Sequence, residues 1–529
     1  MPNKDKLKLL PTDVSDFPTM IEGNYVYVDK TKILYQYFSE GKRLFFLSRP
    51  RRFGKSLLLS TLHELFSNNK KLFKDTWIGS SDYNWVEYPI IKLDFSTLSF
   101  ETSQEFKIDL IWKLENIAEN YDIDISKAPS LPTKFEFLIQ QLSKRNKVVI
   151  LIDEYDYPLL KNLEREHIAQ AILEIMASFF GVLKNVSGQL HCLFITGVTK
   201  FAKTTLFSGL NNLNDLFVYP DAASLLGYTQ QELKDNFSEY IEALAIKKNL
   251  SIEETYDAIK DWYNGYRFST EETKVYNPYS VIHLFDLKEF NNFWLETGTP
   301  GFLIQLMKKQ YYEIEDIETA ELNSQSLGTF EIHELPLLAV LFQTGYITIA
   351  DFSYDSDGKT ILYKMTYPNR EVSISFKKYI VTSITQNTIR NVERAINHFH
   401  DALIKNDIEL FCNTLKSLLA NIPYQIHIGN EAYYHSLFQF LIDLLGFHGQ
   451  SEVSSDKGRI DLVLQTKQRI FIFEFKFKST GEKALNQIVE KRYYEKYLHL
   501  KKPITLVGLS FNNKGKELVL DWVKKDLEN

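Results

Sequence analysis

The chain has 529 residues, 44% of them hydrophobic and 24% charged, with a net charge of −7. At roughly 100–200 residues per domain this allows about three or four domains, and the balance excludes a fibrous or disordered protein. The two cysteines, Cys192 and Cys412, exclude a disulfide framework, no CxxC or HExxH spacing offers a zinc site, and the acidic total excludes a chain coated in nucleic acid.

The amino terminus is polar and lacks the apolar core of a signal peptide. No apolar run in the sequence approaches the ~20 residues of a membrane span, so a cytoplasmic chain without membrane contact is expected. The first 225 residues alternate apolar strands with helical patterns, the mark of an α/β domain with a largely parallel sheet. Strands are expected over 43–47, 90–95, 148–152 and 192–195, with helices over 57–66 and 168–183 between them.

Residues 48–56 read SRPRRFGKS, after the strand LFFL and before the helix LLLSTLHELF. In that context a GK[ST] triplet implies a phosphate-binding loop, whose backbone N–H groups and helix start face phosphate oxygens. Arg52, Phe53, Gly54, Lys55 and Ser56 would form it, with Lys55 on the β/γ-phosphates and Ser56 on Mg²⁺. Arg49 stands where the motif's first glycine would be, and Pro50 offers no N–H. Arg49, Arg51 and Arg52 read equally as cations near the phosphates or as a solvated basic loop.

The strand VVILIDE (148–154) supplies the second half of such a site. Asp153 would hold Mg²⁺ through water and Glu154 would act as general base toward the attacking water. The next strand, LHCLFITG, ends near Thr196 and Thr199. If it lies between the other two, one of these faces the γ-phosphate; Thr199 is the candidate.

YVDKT (27–31), the loop, the strand LIDEYD and GVTKFAKTTLFSGLNNLNDL (197–216) together resemble the AAA-ATPase-like family of bacterial proteins. That resemblance implies ATP as ligand and tolerates the missing first glycine. It continues through WYNGYRF, YNPYS and LFQTGYITI. Trp262, Tyr263 and Tyr266 at a turn read first as core or lid packing; a nucleotide or partner contact through Asn264 or Arg267 is the alternative.

From about residue 229 to 306 the pattern is helical. A helix ending at Gly345 then precedes a hairpin-like stretch over 346–367 with an Asp357-Gly358 turn, an order that resembles a winged helix. Ile389, Val392, Ile396, Phe399 and Leu403 mark an amphipathic helix, paired with a second helix bearing Leu415 and Leu418.

The last hundred residues return to mixed α/β. Residues 430–529 hold 16 Lys and Arg against 13 Asp and Glu, while the rest of the chain carries −10. Any nucleic-acid contact is therefore expected to be local to this end. GRIDLVL (458–464) and RIFIFEFK (469–476) read as a hairpin. Glu474 and Lys476, two apart on a strand, share a face, and Asp461 lies beside them if the hairpin pairs in register. Two carboxylates and a lysine on one face suit metal-assisted phosphodiester hydrolysis; the alternative is a structural Glu–Lys pair. Oxygen ligands favour Mg²⁺, with Mn²⁺ admitted.

This segment resembles the PD-(D/E)XK nuclease superfamily. By position the resemblance assigns Glu431 to the acid of the first helix, Asp461 to the PD aspartate, Glu474 and Lys476 to the ExK pair, and Gln487 to the following helix. It implies a metal at Glu431, Asp461 and Glu474, and nucleic acid as partner, with DNA favoured over RNA.

The fold expected is α/β throughout. A P-loop NTPase with an ASCE-type parallel sheet spans 1–225 and a helical lid spans 226–308. An α+β connector, winged-helix-like with a helical hairpin, spans 309–420, and a restriction-endonuclease-like domain spans 421–529. The function expected is ATP binding and hydrolysis coupled to Mg²⁺-dependent cleavage of nucleic acid, in bacterial defence or mobile-element biology. The rival is a nucleotide-operated switch or scaffold whose nuclease fold only binds. Self-assembly stays open.

Overall fold

The computed structural model describes residues 7–200, 203–210, 212–217, 219–294, 320–323, 326–328, 336–355, 357–420, 441–442, 444–445, 448–455, 458–514 and 517–527. They form two compact units, the change falling between Val372 and Ser373.

In the first unit, apolar runs without alternation become strands buried on both faces. β1 (Leu44–Ser48), β2 (Ile90–Asp94), β3 (Val148–Asp153), β4 (Leu190–Gly197) and β5 (Asn214–Asp215) form a parallel sheet in the order β2-β3-β4-β1-β5. Phe45 packs on one face against Tyr37, Phe38 and Phe194; Phe46 packs on the other against Tyr155 and Phe207. Each fully buried ring contributes about 2–3 kcal/mol. The segment Glu166–Lys184 is long and apolar enough, by length and composition, to cross a membrane. Its apolar face is occupied inside this unit, where Phe179 stacks on Phe135 and Phe180 on Phe95.

Beyond the sheet, Thr229 and Ser251 open the helices Gln230–Lys248 and Ile252–Tyr263 with capping boxes completed by Glu232 and Glu254. With Pro278–Leu287 these helices enclose a core that includes Phe237, Tyr263, Tyr276 and Phe285. Lys30, from the YVDKT segment, donates to Glu232 at 2.7 Å and to the carbonyl of Ser224, tying this module to the sheet domain. The expected helix-then-hairpin order is present: Leu337–Thr344 ends at Gly345, and β7 (Thr348–Tyr354) pairs with β8 (Ile361–Thr366). A short β6 (Glu321–Asn323) adds a third strand on β8.

WYNGYRF proves to be packing. Tyr263 and Tyr266 are buried, and the Arg267 guanidinium donates to the carbonyls of Ser269, Thr270, Glu271 and Ala350. It is a clamp for its own loop and for β7.

In the second unit, β9 (His448–Ser455), β10 (Gly458–Gln465), β11 (Ile470–Phe477), β12 (Ile504–Lys514) and β13 (Glu517–Leu527) form a sheet in the order β13-β12-β11-β10-β9. β10 and β11 are the expected hairpin, and β11 runs parallel to β12. A parallel pair needs a crossover, supplied by the helix Gly481–Glu490. The helical pair Ile389–Lys405 and Ile408–Leu419 packs on this sheet through Phe411 on Phe473. Asn406 also bonds Asp526 and Thr505, so both helices belong to this unit.

Gly265 sits at φ +102°, where an added Cβ would meet the Pro368 carbonyl oxygen at 1.8 Å. Gly358, at φ +66°, faces open space. Gly265→Ala is expected to cost about 2–3 kcal/mol and Gly358→Ala about 1 kcal/mol or less, read from urea unfolding midpoints.

Candidate nucleotide and metal sites

Because the first sheet is parallel, β1, β3 and β4 all end on one side, and their following loops converge there. β4 lies between β1 and β3, as the sequence argument required. The helix Lys55–Phe66 begins at Gly54, φ +94°, and no side chain caps it, which leaves its first N–H groups directed at the loop's concavity. Lys55 is buried, and its ammonium donates to the carbonyls of Arg49 at 3.1 Å and Pro50 at 3.0 Å. Burial lowers its pKa, opposed by Glu154, Asp153 and Asp156. Ser56 is exposed on the first turn. These groups fit a nucleotide phosphate chain.

Arg49 lies outside the left-handed region; the turns that need positive φ fall at Arg52 (+66°) and Gly54. Its side chain is fully buried and faces away from the loop's concavity. It donates to the carbonyls of Ser48 at 3.0 Å and Ala222 at 3.1 Å, and lies over the Phe268 ring at 4.2 Å. Of the two readings for the three arginines, neither describes Arg49: it is a buried brace. Phe53 is likewise turned inward against Tyr266 and Phe268, so only its backbone is available to a ligand. The Arg52 guanidinium lies over Tyr279 at 4.6 Å.

At the end of β3, the buried Asp153 accepts from Thr196 at 2.5 Å. Glu154 follows at φ +49°, in the left-handed region that few glutamates adopt. Burial raises its pKa; Lys55 opposes this, and Asp153 and Asp156 add to it. Of the two threonines left open, Thr196 reaches Asp153. The Thr199 hydroxyl and N–H donate to Asp156 at 2.7 Å each, and the Val198 N–H bonds the same carboxylate. Asp156 was missed in the sequence, although it stands in the same LIDEYD run. It holds the loop that leaves β4.

The phosphate loop is also held from behind. Gly345 approaches so closely that an added Cβ would stand 2.7 Å from Pro50, and the Trp294 indole donates to the Arg51 carbonyl at 3.3 Å. The loop that leaves β4 is held from the same region: buried Gln343 accepts from the Lys200 N–H at 2.7 Å. These partners come from 143 to 295 residues away in sequence, and no local pattern marks them.

In the second unit the β10–β11 ladder runs to Leu462 opposite Phe473. At the next position the Asp461 carboxylate itself accepts the Phe475 N–H at 2.7 Å. Glu474 is buried; one oxygen accepts from Lys476 at 3.1 Å and from Gln487, while Oε2 is buried with no hydrogen-bond partner. Burial, and then Asp461, push the Glu474 carboxyl up to about 7. An orphaned carboxylate oxygen beside a second carboxylate is the donor set a hard divalent cation takes. Among the described residues no three His, Cys, Asp or Glu side chains converge. Glu431, expected as the third acid, lies outside the described residues.

Gln487 reaches Glu474 because its helix lies almost on the sheet. A Cβ on Gly508, in β12, would stand 2.1 Å from the Gly481 carbonyl oxygen and 2.3 Å from the Leu485 nitrogen. Only glycine permits that approach.

Two family descriptions match the chain: "Predicted AAA-ATPase" over residues 11–207 and "PD-(D/E)XK nuclease superfamily" over residues 429–521. An "Uncharacterized protein in vnfD 5'region" of Azotobacter chroococcum mcd 1 is 32% identical over 523 residues, 97% of this chain and 98% of that one. No solved structure matches.

The raised Glu474 gives a sign-defined pH effect in metal-free protein. Its folded pKa of about 7 lies above the ordinary 4.5, so its contribution is full below that value and is lost as pH rises through 7. Glu474→Gln is expected to flatten this slope and, at pH 8 in EDTA, to stabilise the second unit by up to about 3 kcal/mol. Adding Mg²⁺ should raise the melting temperature of the parent and leave that of the variant unchanged.

Proposed function

We propose, for a chain that belongs to the predicted AAA-ATPase family and carries a domain of the PD-(D/E)XK nuclease superfamily, that ATP binding controls a Mg²⁺-dependent cut in nucleic acid, DNA before RNA. The observation that carries the reading is the orphaned, buried Glu474 oxygen beside Asp461, with Lys476 held on the other oxygen. A structural Glu–Lys pair gives no reason to set a second carboxylate, Asp461, against the first, where the two repel.

At the first site the loop backbone and Lys55 bind and orient the phosphate chain, and Ser56 and Asp153 hold its cation. Thr196 fixes Asp153, and Glu154 accepts the proton of the attacking water. At the second site Asp461 and Glu474 would hold the cation, with Gln487 keeping Glu474 in place. Lys476 orients the water and meets the charge that develops on the phosphate. The bound cation supplies Lewis acidity toward the phosphate and lowers the pKa of water. A cut that waits on a nucleotide suits a bacterial enzyme of defence or of mobile elements, working in the cytoplasm and away from membranes.

The test is cleavage of single- and double-stranded DNA and RNA with Mg²⁺ or Mn²⁺, with and without ATP. Asp461→Ala should lose about 10²-fold or more of the cleavage rate and still bind ATP. Lys55→Ala should lose ATP binding and the ATP dependence of cleavage. ATP binding with no cleavage on any substrate would make the chain a nucleotide-operated switch instead.

A further inference from the structure

The basic excess of the chain's last hundred residues is concentrated in one stretch. Residues 476–502 hold 8 Lys and Arg against 3 Glu, while the other residues of 430–529 hold 8 against 10 Asp and Glu. The stretch begins at Lys476 and contains the helix that carries Gln487.

That helix has a defined orientation. Gly481, Ala484, Leu485 and Ile488 are its buried face. Lys483, Gln487 and Lys491 recur every four residues and form a single stripe on one flank. The position of the stripe is set by Gln487, which donates to Glu474, and by the close Gly481–Gly508 approach that seats the helix on the sheet. Lys483 and Lys491 therefore stand one turn to either side of the catalytic carboxylate, about 12 Å apart along the axis. Glu482 lies on the opposite flank. Both lysines are exposed, and among the described residues neither forms an ion pair.

Fold stability gives no reason for Lys483. It occupies the first turn of the helix, where the macrodipole disfavours a cation. Lys491 at the other end is the residue a dipole would choose, so the pair is not explained by helix stabilisation alone.

We infer that Lys483 and Lys491 form a phosphate track, seating the backbone of one nucleic-acid strand on both sides of the bond at Asp461 and Glu474. The inference rests on the nuclease reading and specifies its substrate surface. At about 3.4 Å of duplex axis per phosphate on a strand, 12 Å spans about three phosphates. The contacts are to backbone and carry no base sequence, so the track positions rather than selects.

The experiment measures binding of a fluorescein-labelled single-stranded oligonucleotide, and of its duplex, by full-length protein in EDTA across a salt series. Lys483→Gln combined with Lys491→Gln should reduce the slope of log K against log salt by about 1.4 for the single strand and about 1.8 for the duplex. With Mg²⁺ it should raise KM about 10-fold with kcat nearly unchanged. A control pair, Lys405→Gln with Lys467→Gln, removes two exposed lysines off this helix, the first ion-paired with Asp401, and should leave the slope as in the parent. The melting temperature of Lys483→Gln should be equal to or slightly above that of the parent, which separates the track from a folding role.

If the parent binds and the double variant keeps its slope, the track is wrong and the nuclease reading stands. An equal fall in slope for the control pair also overturns the track, leaving only diffuse charge. If the parent binds neither probe at low salt, the nuclease reading fails and the track fails with it.

Discussion

An ionised group cannot remain buried unless other groups take over the work of water, and both sites in this protein are built around that constraint. Arg49 meets it through two carbonyls and an aromatic face, with only its Nε unpartnered. Its burial pulls the guanidinium down to about 10, so it remains charged at neutral pH. That side chain spans the back of the phosphate loop and joins it to Ala222 and Phe268. A loop lacking its first glycine can then keep its shape, because the tight backbone falls on Arg52 and Gly54 instead.

Glu474 meets the same constraint incompletely. One oxygen is satisfied by Lys476 and Gln487; the other is not. The energetic cost falls on the metal-free state, and a cation would remove it. In the first unit Glu154 is the comparable strained group, pushed up by burial and held at positive φ between Lys55 and two aspartates. Stability is thus lowered at the points where chemistry is expected, and the surrounding cores make up the difference.

Much of the scaffold could be read directly from residue patterns. The runs LFFL, VVILID and FIFEF have no alternation, which assigns them to strands covered on both faces. The i, i+3, i+4 spacing from Ile389 to Leu403 assigned that helix correctly. The hairpin over 458–477 was legible because its two strands leave only a short gap. Thr196 and Thr199 could not be told apart, since a three-residue offset past a strand end says nothing about where each hydroxyl turns. In the structure the Thr199 hydroxyl bonds Asp156 and the Thr196 hydroxyl bonds Asp153.

Sequence alone determined what depends on neighbours along the chain: strand and helix periodicity, the phosphate-loop context, and the shared face of Glu474 and Lys476. Tertiary structure alone decided which way Arg49 and Phe53 point. It also decided that Gly345 and Trp294 back the nucleotide loop, that Gln343 holds the loop after β4, and that Gly508 admits the helix carrying Gln487. The physical reason is one of range. Periodicity acts within a few residues, whereas burial and close approach are properties of surfaces brought together from distant parts of the chain.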